Sequence, residues 1–182
     1  MEYISYSNKL FTVKYLGNVL GGNKVCYLNL EIKQIKELVE KSLLDNKVVW
    51  FGCDVCQHLQ KKNCAMDFDL VDYTHVIPTD LSMTKEQRLL SKESLMTHAM
   101  CITGCNITDE YHHTIDKWQI ENSWGKDKAA DGYYIMTDKW FDEYVYEIAI
   151  NKKYLSKEQL EILNSNTFTT LPPWDPMGSL AK

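Results

Sequence analysis

Between residues 95 and 150 the chain carries four segments with the alternation or the β-branched and aromatic content of strands, and this run most constrains what it can fold into. They are Leu95–Thr103, Lys117–Asn122, Gly132–Thr137 and Val145–Ile150, parted by polar stretches that suit turns. Their spacing predicts an antiparallel sheet with one short helix near Trp140. Val48-Val49-Trp50-Phe51 adds a buried strand, and Gly52 after it permits a bulge or a close backbone approach. Helices are predicted outside this run. Ile32, Ile35, Val39 and Leu43 recur at helical steps within 31–46, and Thr84-x-x-Gln87 and Ser156-x-x-Gln159 are capping boxes for helices through Leu90 and Leu163. The class is α+β. Residues 57–80 are polar and Asp-rich without a clear period and read as an excursion or loop. Pro172, Pro173 and Pro176 exclude regular helix and central strand near the end. The organisation expected is therefore a body over 1–170 and an extended tail over 171–182, docked through Leu171, Trp174, Met177 and Leu180.

Two residues in the β run carry chemistry. His98 lies in Met96-Thr97-His98-Ala99-Met100, and 24 residues later Asn122 lies in Trp118-Gln119-Ile120-Glu121-Asn122-Ser123-Trp124-Gly125. Alternation puts Met96, Met100 and Ile102 on the face of His98, so desolvation in a core would by itself explain the histidine. Paired with the amide, the histidine admits a second reading. An imidazole can take the proton of a thiol while a neutral side-chain amide accepts the other ring N–H and fixes the tautomer, which is two thirds of a Cys-His-Asn triad. The nucleophile is the missing third. Cys101, three residues from His98 on one strand, faces the opposite side, and none of the six cysteines reads as heading a helix, the setting that favours a thiolate.

Composition excludes several classes. A chain of 182 residues can bury roughly 70% of its unfolded surface, enough for a core. Its longest apolar stretch, Val48 to Cys53, is far below the roughly 18 residues that span a bilayer, and no secretory signal pattern opens it. The net charge of −5, with dispersed Lys and Arg, argues against a nucleic-acid surface on this chain alone. Six irregularly spaced cysteines read as reduced cytoplasmic thiols. Cys53-x-x-Cys56, with His58 and Cys64, is the sharper metal alternative, but zinc sites want a second matched pair. Cys101 and Cys105 fall in a strand whose alternation sets both on one face. Asp67-x-Asp69-x-x-Asp72 lacks the Gly and Glu of an EF-hand and reads as a solvated acidic loop. His58, His75, His112 and His113 lie in polar loops and receive no role.

Several longer segments carry a family resemblance. Trp50-Phe51-Gly52-Cys53-Asp54-Val55, Glu93-Ser94-Leu95-Met96-Thr97-His98-Ala99-Met100, Glu121-Asn122-Ser123-Trp124-Gly125, Asp138-Lys139-Trp140-Phe141-Asp142-Glu143-Tyr144-Val145-Tyr146 and the tail from Leu171 to Lys182 resemble the C-terminal part of the bleomycin hydrolase family, papain-like thiol aminopeptidases called aminopeptidase C in bacteria. Phe11 to Val19 is similar too. The resemblance implies the β-rich lobe of a papain-like peptidase, with the nucleophilic Cys in a helix-bearing lobe encoded upstream of Met1. It implies His98 as general base and then acid, Asn122 as its orienter and Trp124 as the cover of their hydrogen bond. Ala181 and Lys182 would meet the amino terminus of a peptide substrate. A cytoplasmic homo-hexamer without metal or cofactor is implied as well. The chain by itself is expected to be inactive, and the alternative is a non-catalytic remnant serving as an assembly or interaction module.

Overall fold

A computed structural model of the protein describes residues 6–17, 19–75, 77, 79–109, 111 and 114–178. The chain forms two compact units, one of residues 1–38 with 151–182, the other of 39–150. Helix α1 (Ile32–Leu44) belongs in part to each, and its apolar residues recur as the sequence predicts.

The first unit joins the two ends of the chain. Strand β1 (Lys9–Val13) lies between β2 (Tyr27–Asn29), antiparallel to it, and the last strand, β10 (Phe168–Leu171), parallel to it. Leu10, Phe11, Thr12 and Val13 of this central strand are all buried. Helix α4 (Lys157–Ser165) leads into β10. Ser156 and Gln159 close its capping box reciprocally, and Asn166 ends it in the left-handed region. After Leu171 the chain turns twice instead of running straight, with Asp175 N donating to Pro172 O and Gly178 N to Asp175 O. These turns bury Pro173 and leave Trp174 67% exposed, so the described residues of this chain leave most of the indole uncovered. Leu180, Ala181 and Lys182 lie outside the described residues.

The second unit is a seven-stranded sheet in the order β4 (Leu59–Gln60), β5 (Ala65–Met66), β8 (Tyr133–Thr137), β7 (Thr114–Glu121), β6 (His98–Asp109), β3 (Val49–Cys53), β9 (Val145–Ala149). Every pairing is antiparallel except β5 with β8. The supposed loop 57–80 thus contributes two strands, each too short to show a period. Strand β6 starts at His98 and not at Leu95, because the backbone before it is gathered elsewhere: Leu95 N donates to Asp54 Oδ2 at 3.3 Å and Thr97 N to Cys53 O at 2.9 Å. A bulge between Ile102 and Gly104 also shifts the phase. Cys101 pairs with Glu121 and Cys105 with Trp118, an odd number of residues apart on β7, so the two cysteines face opposite sides where alternation predicted one.

Helix α3 (Asp138–Tyr144) packs on this sheet, capped by Thr137. Trp118, Phe141 and Trp140 are fully buried, and both indole N–H groups are satisfied, by Asp138 Oδ1 at 3.1 Å and Gln57 O at 2.7 Å. The carbonyls at the end of α3 are met by cations from α2 (Lys85–Leu90). Lys85 Nζ reaches Asp142 O and Val145 O, while buried Arg88 bonds Glu143 through both its carbonyl and its carboxylate. Among the described residues no helix is long and apolar enough to cross a membrane. Trp140→Ala removes a ring and leaves Gln57 O unpaired, which should cost about 3–5 kcal/mol of unfolding free energy. Urea denaturation followed by circular dichroism checks it, and a loss below ~1 kcal/mol would count against this core.

Candidate active site

His98 opens β6 and Asn122 immediately follows β7, its neighbour in the sheet, so the strand pairing brings together two residues 24 positions apart. His98 Nε2 lies 2.9 Å from Asn122 Oδ1. Which atom of that amide is the oxygen follows from its second partner. The backbone N–H of Ser123 donates to the same atom at 2.8 Å, and a backbone N–H is always a donor. The atom is therefore the acceptor, and Nε2 must carry the imidazole proton. Nδ1 then holds the free lone pair, and no described residue hydrogen-bonds to it. Asn122 is itself pinned through its backbone N–H to Gly132 O at 3.0 Å and is buried. Its amide nitrogen is buried without a hydrogen-bond partner among the described residues, a cost of about 1–3 kcal/mol that the rest of the fold offsets.

Trp124 flanks this bond. Its ring centroid is 5.3 Å from that of His98, and Tyr134 of β8 meets it edge-on at 6.0 Å. The indole is half-buried, with one side against the His98 ring.

The support beneath His98 was not legible in advance. Buried Asp54, one residue beyond β3, accepts from Ser94 Oγ (2.9 Å), Gln57 Nε2 (3.1 Å), Thr97 Oγ1 (3.2 Å) and Leu95 N (3.3 Å). Ser94 Oγ is also 2.6 Å from the Tyr146 hydroxyl. A buried carboxylate needs such donors, and here they fix the stretch that leads into His98. An Asp after a buried strand was the only signal available. Nothing in the spacing pointed to its partners.

The cysteines divide by burial. Cys53 is the cross-strand partner of His98, on the same face, yet it is fully buried. Desolvation, reinforced by the Asp54 carboxylate and Cys56, pushes its thiol far above the ordinary range. Partial desolvation likewise raises Cys101 and Cys105, and also Cys26 although its side chain is exposed. This is the reverse of what activates a nucleophile. Among the described residues no cysteine hydrogen-bonds to His98. Among the described residues no group of His, Cys, Asp and Glu could hold a metal ion. His58 instead stacks against Phe68 and Tyr144, where burial lowers its basicity. His75 pairs with Asp72, Asp67 accepts from Thr137, and Asp69 pairs with Lys139. His112, His113, Ala181 and Lys182 lie outside the described residues.

Comparisons with known proteins identify the family and the fold. The model of the peptidase C1-like family matches residues 4–178. Bleomycin hydrolase of Homo sapiens is 45% identical over 176 residues, and aminopeptidase C of Listeria monocytogenes 41% over 174. Each match takes in 96% of this chain and 38% of the relative. The crystal structure of PepW from Lactobacillus rhamnosis has the same fold, with a TM-score of 0.91 at 41% identity over 96% of this chain and 39% of that one. The chain thus spans about two fifths of the length of the relatives it matches, their C-terminal part.

The state of Cys53 has a measurable consequence. Its folded pKa is raised, so the stability it contributes is fully present below the unfolded thiol's value of about 9 and is lost as pH rises above it. Unfolding free energy should therefore fall between pH 8.5 and 10.5, and fall less steeply in Cys53→Ala. Iodoacetamide at pH 8 should label exposed Cys56 and Cys26 and spare Cys53 in the folded chain. Labelling of Cys53 at the rate of Cys56 would refute its protonated, buried state.

Proposed function

The chain belongs to the peptidase C1-like family, and from that premise we propose that it supplies the base and its orienter to a thiol-dependent aminopeptidase of the bleomycin hydrolase type, acting on short peptides and related amides. The observation that supports this reading is the pair of donors on Asn122 Oδ1, His98 Nε2 and Ser123 N, which leaves Nδ1 as the basic nitrogen. The nucleophile is a cysteine outside this chain. His98 Nδ1 takes its thiol proton, and the thiolate attacks the carbonyl carbon of the substrate's first residue. The imidazolium gives that proton to the departing amine, leaving a thioester. Water then attacks the thioester as Nδ1 takes its proton, the acid leaves, and the proton returns to the sulfur. Asn122 keeps the ring in one tautomer and orientation throughout, and its carbonyl stabilises the imidazolium.

The same reading makes Ala181 and Lys182 the receivers of the substrate's α-ammonium, through which a free amino terminus is preferred. It also places the protein in the cytoplasm as a homo-oligomer. In the assembly with the Cys-bearing part of the enzyme, deletion of 178–182 should weaken cleavage of free-amino substrates and admit N-acetylated ones. An unchanged preference for a free amino terminus would remove that role.

The chain alone should release no product from aminoacyl fluorogenic amides above a buffer blank. Assembled with the Cys-bearing part of the enzyme it should turn them over. In that assembly His98→Ala should abolish turnover, and Asn122→Ala should lower kcat by about 10²-fold or more while retaining a remainder. Iodoacetamide-sensitive turnover by the chain alone would overturn the assignment of an external nucleophile.

A further inference from the structure

The strands β4 and β5 and the turn between them are not used by the chemistry above, yet they reach its edge. Lys61 begins a 3-10 helix, Lys61–Asn63, that joins the two strands. Leu59 pairs with Met66 and Gln60 with Ala65, and Met66 is fully buried. β5 continues the sheet beside β8, and Ile135 N donates to Cys64 O at 2.8 Å. Lys61 is thus an exposed side chain on an anchored hairpin. Its ammonium lies 5.5 Å from the ring centroid of Trp124, the indole that also touches His98 and Tyr134.

A cation over an indole keeps its charge, since the ring offers a quadrupole and not a counter-ion. No carboxylate among the described residues pairs with Lys61. The nearest chemistry is that of His98, which hands a proton to the departing amine, so the part of the substrate beyond the scissile bond leaves past the groups flanking the imidazole. Trp124 and Lys61 are such groups. The ammonium attracts an anion carried there and repels a cation.

We propose that Lys61 is a specificity-determining residue that favours substrates whose leaving group carries a negative charge, either the free carboxylate of a short peptide or an acidic side chain next to the scissile bond. The inference rests on the aminopeptidase reading and adds its substrate class. The test is made in the assembly of this chain with the Cys-bearing part of the enzyme, comparing kcat/KM for Ala-Glu-NH2 with Ala-Gln-NH2, and for Ala-Gln with Ala-Gln-NH2. The anionic member of at least one pair should be favoured about two- to five-fold, as for an exposed charge pair, chiefly through KM. Raising salt to 1 M, where the screening length is about 3 Å, should erase the difference. Lys61→Gln should remove it and Lys61→Glu should invert it. A gain in the first pair alone assigns the anion to the side chain, and in the second alone to the terminus. Ratios near one in both pairs, unchanged by the variants in an assembly that hydrolyses Ala-Gln-NH2, overturn the role of Lys61 and leave the aminopeptidase reading standing. Failure to cleave any of these peptides or the aminoacyl amides overturns both.

Discussion

One oxygen atom organises the functional end of the second unit. Asn122 Oδ1 receives a ring N–H from His98 and a main-chain N–H from Ser123. The second donor cannot change its role, so it fixes the amide, and the amide fixes the imidazole tautomer. Without the backbone donor the amide could turn over and present two hydrogens to the ring, and the proton would move to the other nitrogen. A buried, unpartnered amide nitrogen is the cost of this arrangement. Such costs persist where surrounding structure over-determines a geometry, and here it does: β6 and β7 are neighbours in the sheet, Gly132 holds the Asn122 backbone, and the Trp124 ring lies against that of His98.

The segment that leads into His98 is held by a carboxylate. Asp54 gathers four donors from residues 57 to 97, and the segment that feeds β6 has little freedom once these are made. Nearby, Lys85 and Arg88 occupy the carbonyl end of α3. Positive groups at a helix C-terminus oppose the partial charge there, and the guanidinium of Arg88 also lies over Tyr144. Polar groups in this unit therefore do what apolar packing alone cannot, which is to select one position for a loop.

Burial also decides which cysteines can react. Cys53 lies directly across from His98, close enough in the ladder to suggest a pair, but its thiol is desolvated beside a carboxylate. A nucleophile must lose its proton readily, and that environment opposes the loss. Proximity to a base is thus insufficient. The same desolvation that suits Cys53 to the core disqualifies it from catalysis.

The sequence by itself determined the elements whose signal is local. Both capping boxes, the helix over Ile32–Leu44, the short helix at Trp140 and the strands from 117 to 149 follow from periodicity and hydrogen-bonding side chains within a few residues of one another. The His98–Asn122 pair was legible because the short segments around each residue resemble a known family, and each such segment is local. Tertiary structure alone decided what depends on distant partners. The bulge that parts Cys101 from Cys105, the pairing of β5 with β8, the donors of Asp54, the solvent-facing Trp174 and the approach of Lys61 to Trp124 each join residues far apart in the chain or hinge on a one-residue slip in phase. A two-residue strand has no period to detect, and a carboxylate's partners are chosen by the path of the backbone rather than by its neighbours in sequence.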